Sequence, residues 1–190
     1  NLLNVIPTLT LPIIVINHLG AAASAYYFLT FMLINLLYSV SNSISQSLFA
    51  EGSHGTASLR QLLKSSVKML LFIIVPAGAA IAFLGPSVLR FFGKAYSAGG
   101  TETLIILSIA APAVAAYNFG GVLLRIRRQV YSLIVMNAVY AVTINGLTLL
   151  WINRGLEWVA ISWLIGNLVA AALSFLFIFA KRQHATPIGD

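Results

Sequence analysis

Long stretches without any ionisable side chain dominate this sequence. Residues 1–50 contain no Asp, Glu, Lys or Arg, and neither do residues 69–89, 103–124, 129–153 and 158–180. About 20 apolar residues in a helix are enough to cross a hydrocarbon core of roughly 30 Å. Only 8% of the residues are charged, whereas soluble domains carry about 25%. The sequence therefore predicts an integral membrane protein.

The first charge-free run is too long for one crossing, because fifty helical residues would extend over roughly 75 Å. Asn17 to Gly20 is the natural break, since Asn and Gly favour turns and helix ends. Backbone polar groups must be satisfied internally in lipid, and no segment alternates like a barrel strand, so the fold class is all-α. The sequence predicts one six-helix transmembrane lobe over residues 1–180, followed by a tail, 181–190. The predicted spans are residues 2–17, 22–48, 67–84, 103–124, 130–152 and 158–180.

The distribution of basic residues predicts the orientation. Of the eleven Lys and Arg, three lie in one set of alternate connections, Arg90, Lys94 and Arg154, together with Glu102 and Glu157. The other set and the tail hold Arg60, Lys64, Lys68, Arg125, Arg127, Arg128, Lys181 and Arg182. Because cytoplasmic loops carry the excess of basic residues, both ends of the chain are predicted to be cytoplasmic in a multi-pass protein of the cell membrane.

Two basic segments are candidates for contact with anionic groups. Arg125, Arg127 and Arg128 form a short turn expected to anchor two helices and touch anionic headgroups, with binding of another anion left open. Residues 58–68, with Arg60 and Lys64, form an amphipathic pattern that serves either simple anchoring or headgroup recognition. Nucleic-acid binding is not expected, because the basic residues are scattered over separate loops without an aromatic platform.

Polar residues of the second span share one helical face, which suits a wet cavity that binds sugars by hydrogen bonds and ring stacking. The alternative is interhelical hydrogen bonding at about 0.6 kcal/mol per contact, but six polar residues on one stripe favour a cavity. The cavity candidates are Asn4, Thr8, Tyr27, Asn35, Tyr38, Ser39, Asn42, Ser43 and Gln46.

Other polar and small residues are interpreted as packing. Prolines at positions 7, 12, 76 and 112 are expected to bend their helices. Isolated polar residues in the fourth and fifth spans are Asn118, Asn137, Tyr140, Thr143 and Asn145. A ridge of small residues in the sixth span, Ser162, Gly166, Ala170 and Ser174, is expected to let a neighbouring helix approach closely.

Residues for catalysis or metal binding do not cluster in the sequence. There is no cysteine, the three histidines lie in separate segments, and so do the four acids Glu51, Glu102, Glu157 and Asp190. Neither a metal site nor a paired-carboxylate acid/base site is expected. The sequence predicts no cofactor and no enzyme activity.

Three segments together carry a resemblance to a known family. FLGPSVLRFFGKAY, residues 83–96, resembles the connection between the third and fourth helices in the C-terminal lobe of polysaccharide flippases. HLGAAASAYY, residues 18–27, is similar to the loop between the first two helices of that lobe, and SQSLFAE, residues 45–51, to the end of its second helix. Ala50 stands where the family often has Pro. The resemblance implies the oligosaccharide flippase branch of the multidrug/oligosaccharidyl-lipid/polysaccharide exporter superfamily.

In that superfamily two six-helix lobes enclose a central cavity, and this chain resembles the second lobe. Because the chain opens directly on an apolar helix, an N-terminal lobe is expected to be missing. The resemblance implies flipping of an undecaprenyl-diphosphate-linked oligosaccharide to the outer leaflet by alternating access, for polysaccharide or lipopolysaccharide biosynthesis. The diphosphate would meet Arg60, Lys64, Arg125, Arg127 and Arg128. An ion-coupled multidrug exporter and a non-transporting assembly subunit remain the alternatives.

Overall fold

The computed structural model describes the backbone of residues 2–54 and 59–180 and the side chains outside positions 48, 51–63, 65, 66, 69 and 70. Almost all of this part of the protein is helical. The predicted all-α class is confirmed for these residues. The predicted tail, residues 181–190, lies outside them. The long helices are α1 (Ile6–His54), α2 (Leu59–Phe92), α3 (Lys94–Ile126), α4 (Val130–Trp151) and α5 (Leu156–Ala180), and short 3₁₀ turns cover Leu2–Asn4 and Ile152–Arg154.

Five helices are long and apolar enough to cross a membrane, as expected for a multi-pass membrane protein. The sequence predicts six spans, and the difference lies in α1, where the first two predicted spans are joined in one helical element. α1 is not continuous in geometry. Gly20 has φ 83° and ψ −178°, which is non-helical. The sequence predicts a break over Asn17 to Gly20, and the backbone leaves the helical conformation at the last of these residues.

The chain folds back at Gly20, so that α1 has a first limb (6–19) and a second limb (21–54). Asn4 and Asn42 line the same cavity. In a straight helix these residues would be about 57 Å apart, because each residue adds about 1.5 Å. The two limbs therefore run side by side in opposite directions. The positive φ at Gly20 makes this reversal possible, since other residues avoid that conformation.

Glycines also form two of the other connections between helices. α2 passes into α3 through the single residue Gly93, whose φ is 139°, and Gly155 precedes α5 with φ 126°. The sequence predicts a loop between the third span, 67–84, and the fourth span, 103–124. In the structure α2 and α3 extend through this region and leave only Gly93 between them, so both helices are longer than the predicted spans. Pro76, Pro86 and Pro112 lie inside helices that continue past them.

α3 is the central helix of the bundle, packed against α1, α2 and α5, while α4 packs mainly on α5. Small residues allow this close packing. A side chain at Gly120 of α3 would overlap the Ser174 hydroxyl of α5, and one at Gly166 would overlap Ile144 of α4. The small-residue ridge predicted for the last span is confirmed, because all four of its residues are buried between helices.

Candidate functional site

A polar cavity of about 210 Å³ opens between α1, α3 and α4. We call it the arginine cavity, because Arg125 is the charged residue in its wall. Its lining comprises Asn4, Asn42, Ser45, Gln46, Tyr117, Asn118, Gly121, Val122, Arg125, Leu133, Met136 and Asn137. Five of these side chains carry an amide, which is unusual inside a bundle of apolar helices and makes the space suitable for a hydrated ligand.

A second polar cavity of about 170 Å³ continues deeper into the bundle. It shares Asn4, Asn42, Tyr117 and Asn118 with the arginine cavity and adds residues of α5. We call it the tryptophan cavity; its lining comprises Asn4, Thr8, Asn35, Tyr38, Asn42, Val114, Tyr117, Asn118, Tyr140, Trp163 and Asn167. None of these residues is an acid, a Lys or an Arg.

The two cavities together form one polar tract. Along α3 the tract runs from Arg125 to Val114, a helical rise of about 17 Å, or roughly half of the hydrocarbon thickness. On α1, Asn35, Tyr38, Asn42 and Gln46 recur at three- and four-residue steps, so one face of the second limb follows the tract along its length.

Aromatic rings surround the deep end of the tract. Tyr117 and Tyr140 stack with ring centroids 4.5 Å apart and planes 9° from parallel. The ring centroid of Trp163 lies 6.1 Å from that of Tyr140 and 6.5 Å from that of Tyr38. A third aromatic neighbour is Phe31, with a centroid distance of 5.3 Å. The tract thus ends on aromatic surfaces, which combine an apolar face with polar edges.

Hydrogen bonds hold two of these tyrosines in place. The Tyr117 hydroxyl donates to Oδ1 of Asn137 at 2.6 Å, which connects α3 to α4. The Tyr38 hydroxyl donates to the backbone carbonyl of Leu107 at 2.8 Å, which connects α1 to α3. Their positions are therefore fixed by tertiary contacts across the cavity walls.

The structure brings together most of the cavity candidates predicted from the sequence. Those that line the tract are Asn4, Thr8, Asn35, Tyr38, Asn42 and Gln46. Tyr27 instead packs on Phe31, with ring centroids 4.3 Å apart, and does not line either cavity. Ser39 and Ser43 are exposed and donate hydrogen bonds to carbonyls of their own helix. They lie about 100° around the helix from Tyr38 and Asn42, so the predicted stripe was too wide.

Sequence reasoning missed several residues of the tract. Asn118, Asn137 and Tyr140, interpreted as packing, line it. Trp163 and Asn167, one turn apart on α5, also line it, and neither is among the candidates predicted from the sequence. The available signal was their spacing, because 137 and 140, like 163 and 167, share a helical face.

Packing does describe Asn145. Thr10 donates a hydrogen bond to its Oδ1 at 2.5 Å, which joins the first limb of α1 to α4. Asn145 also donates to the carbonyl of Ala141 at 2.9 Å. Both ends of the amide are therefore used within the bundle.

The basic candidates are not brought together as one group. Arg125 lines the arginine cavity. The Arg127 guanidinium donates to the carbonyl of Ile178 at 2.8 Å, so it caps the C-terminal end of α5. Arg128 and Lys64 are exposed, and Arg128 has a positive φ of 55°. The side chain of Arg60 lies outside the described residues.

Aromatic residues mark the opposite end of the bundle. Trp151 and Trp158 contact each other with centroids 5.2 Å apart, and the Arg154 guanidinium lies 5.0 Å from the Trp158 ring. Tryptophan and arginine at helix ends are typical of the membrane–water interface. The tract opens toward the end of the bundle that holds the arginine turn, away from this aromatic end.

Among the side chains that the structure describes, no group of three or more His, Cys, Asp or Glu could hold a metal ion. Comparison of the chain with protein-family models, with curated proteins and with solved structures finds no match.

Proposed function

We propose that this chain is one lobe of a membrane transporter that moves the glycan of a lipid-linked oligosaccharide across the cell membrane. The observation that carries the proposal is the polar tract, in which amides and aromatic rings converge inside otherwise apolar helices. A glycan has hydroxyl groups that need hydrogen bonds and ring faces that pack on aromatic rings. A polar path lowers the cost of taking such a group through a low-dielectric core.

In the proposed topology the two limbs of α1 cross the membrane separately, which gives six crossings with α2 to α5. The reversal at Gly20 supports this count, and it returns the chain to its starting side before α2 begins. The arginine turn, with Lys64 and Lys68, is then cytoplasmic by the positive-inside rule. The tract opens toward the cytoplasm and ends near the middle of the membrane.

A second lobe would cover the open side of the tract. Asn35, Asn42 and Gln46 line the tract and yet are exposed. Amides that face lipid are costly, so they are expected to face protein or a water-filled space. A partner lobe of similar architecture would enclose the tract between two halves, and rocking of the halves would provide alternating access.

Arg125 would attract the diphosphate of the lipid carrier at the cytoplasmic opening. It is exposed and lies in the wall of the arginine cavity. A guanidinium pairs with phosphate oxygens through two parallel hydrogen bonds. Arg127 contributes less in this arrangement, because its guanidinium already bonds to the end of α5.

The proposal is tested in proteoliposomes that contain the full-length protein and a fluorescent polyprenyl-diphosphate oligosaccharide. Asn42→Leu and Gln46→Leu, made together, should lower the flipping rate by at least about fivefold, the factor that corresponds to roughly 1 kcal/mol for a lost hydrogen bond. The matched control is Ser39→Ala with Ser43→Ala on the same helix, which should flip normally because neither serine lines the tract.

Equal flipping by both pairs of variants and the wild type would refute the glycan path. Drug efflux without flipping of the lipid-linked oligosaccharide would identify a multidrug exporter instead. Asn137 is unsuitable as a control, because it lines the same tract.

A further inference from the structure

An apolar groove runs along α2 and α3, away from the polar tract. Its first part, of about 120 Å³, lies between α2, α3 and α5, and its second part, of about 280 Å³, lies between α2 and α3. The two parts share Ile74, Val75 and Pro112, so they form one continuous groove, which we call the proline groove. Along α2 it extends from Val67 to Ala82, a helical rise of about 22 Å.

The proline groove and the polar tract lie on opposite sides of α3. Pro112 lines the groove and Gly121 lines the arginine cavity, and nine residues of helix place them about 180° apart. Among the lining residues that the structure describes, the one polar side chain is Ser108, whose hydroxyl donates to the carbonyl of Leu104 at 2.8 Å. This wall therefore offers no free polar side chain to a glycan, and it suits an apolar chain.

The groove is open to the surroundings of the bundle. Leu71 and Val75 of α2 and Ile109 of α3 stand along it and are about half exposed. Residues with short or no side chains, among them Gly78 and Ala116, leave space between the helices. A hydrocarbon chain in this space would contact two helices at once, which gives it more dispersion contacts than a flat surface would.

Two lysines stand at one end of the proline groove. Lys64 and Lys68 precede Leu71 by seven and three residues, so they lie on the face of α2 that lines the groove, within about 60° of Leu71. Both side chains are exposed. No Asp or Glu lies in the sequence over residues 52–101, which include all of α2. The positive charge at this end of α2 is therefore unopposed along the helix.

Arg127 borders the same end of the groove from the side of α5. Its guanidinium donates to the carbonyl of Ile178, one turn beyond Phe175, which lines the groove. That bond uses one N–H, and a guanidinium has five. An apolar groove with basic residues on both sides of one end is complementary to a molecule that has an apolar chain and an anionic head.

We propose that the proline groove binds one acyl chain of an anionic phospholipid, whose phosphate is held by Lys64, Lys68 and Arg127. An acyl chain extends over roughly 15 Å, half of the hydrocarbon thickness, so the groove holds it along its whole length. The lysine stems lie along apolar surface and carry their ammonium groups to the level of the headgroup. This site goes beyond the proposed function and does not rest on it, because it lies across α3 from the tract.

The test counts the lipids bound to the full-length protein, purified in mild detergent, by native mass spectrometry. The probes are phosphatidylglycerol and phosphatidylcholine with the same two oleoyl chains, so that the headgroup alone differs. Wild-type protein should bind one phosphatidylglycerol at least about 25-fold more tightly than phosphatidylcholine, since each lysine near an anionic lipid contributes a factor of about five.

A pair of charge variants tests the headgroup contacts. Lys64→Gln with Lys68→Gln should weaken binding of phosphatidylglycerol about 25-fold and leave binding of phosphatidylcholine unchanged. Arg90→Gln with Lys94→Gln is the matched control, because it removes the same charge beside Gly93, at the opposite end of α2. The control should bind both lipids like the wild type.

A pair of size variants tests the groove. Ala79 lines it, and helical side chains lean toward the N-terminal turn, so Ala79→Phe would place a ring beside Val75. Binding of both lipids should weaken at least about threefold, because the acyl chain loses contacts with the wall. Ala80→Phe is the matched control, since Ala80 does not line the groove, and it should bind both lipids normally. The residues changed in all four variants are exposed, so the bundle should fold in each.

Equal affinity for the two lipids, or an equal effect of the two charge variants, would overturn the proposal and identify ordinary bilayer lipid around the helices. Normal lipid binding by Ala79→Phe would overturn it as well. A wild-type dimer that Ala79→Phe converts to a monomer would assign the groove to a second copy of the chain. Displacement of phosphatidylglycerol by an equal concentration of farnesyl diphosphate would assign it to a polyprenyl carrier instead.

Discussion

Gly20→Ala tests the reversal of α1 on which the polar tract depends. At φ 83° and ψ −178° the backbone occupies a region that is open essentially to glycine alone. A Cβ at this position would meet no atom within 4 Å. The cost of the substitution is therefore the backbone cost alone, about 1–3 kcal/mol of unfolding free energy.

Gly146→Ala provides the matched control. Gly146 lies within α4, and a Cβ there would also meet no atom within 4 Å. Because alanine has less backbone freedom to lose than glycine, this change should stabilise the helix by about 0.5–1 kcal/mol. The two variants make the same chemical change in open space, and they should differ from each other by about 1.5–4 kcal/mol.

The assay is reversible unfolding in mixed micelles of mild detergent and dodecyl sulfate, followed by tryptophan fluorescence and circular dichroism. A cysteine pair gives a second measurement, because the chain has no native cysteine. Asn4→Cys with Asn42→Cys should be linked by a short bifunctional thiol reagent, since both residues line the arginine cavity. Gly20→Ala should lower the yield of this link.

Equal stability of Gly20→Ala and Gly146→Ala would contradict the positive φ at residue 20. Failure of the cysteine pair to link in the otherwise native protein would show that the two limbs do not lie side by side. A straight α1 would place these cysteines about 57 Å apart, far beyond the reach of any short reagent. Either result would remove the first limb from the wall of the tract.

Three further predictions concern topology and individual contacts. In whole cells, a cysteine at Asn153 should react with an impermeant thiol reagent and one at Lys64 should not, since both sites are exposed and differ in predicted side; the opposite pattern would reverse the orientation. Arg127→Gln should lower the unfolding free energy by about 1 kcal/mol, because the cap of α5 is lost. Arg128→Gln is the control and should leave the unfolding free energy unchanged. Equal stability of the two variants in the micelle assay would exclude the cap. Tyr117→Phe should cost about 0.6–1.7 kcal/mol in the same assay, since it leaves the partner amide oxygen on α4 without its donor; no loss would mean that the bond contributes nothing net.

The fold class and most helix positions followed from the sequence. Hydropathy and charge are local properties, and a backbone in lipid has few ways to satisfy its hydrogen bonds, so the charge-free runs predicted the long apolar helices that the structure has. The break near Gly20 and the small-residue ridge of α5 were also readable, because both depend on residue size and backbone freedom. The sequence did not predict how far α2 and α3 extend, because nothing local shows that Gly93 alone can join two helices.

The polar tract was only half visible in the sequence. Periodicity placed Asn35, Tyr38 and Asn42 on one face of the second limb, because helical spacing is a property of a single helix. It could not show that Asn137 and Asn167 face the same space from two other helices. That meeting is decided by the fold-back at Gly20 and by close approach of α3, α4 and α5 at glycines, which are relations between helices. Periodicity within one helix shows which side chains share a face, and only tertiary packing decides which faces enclose a cavity.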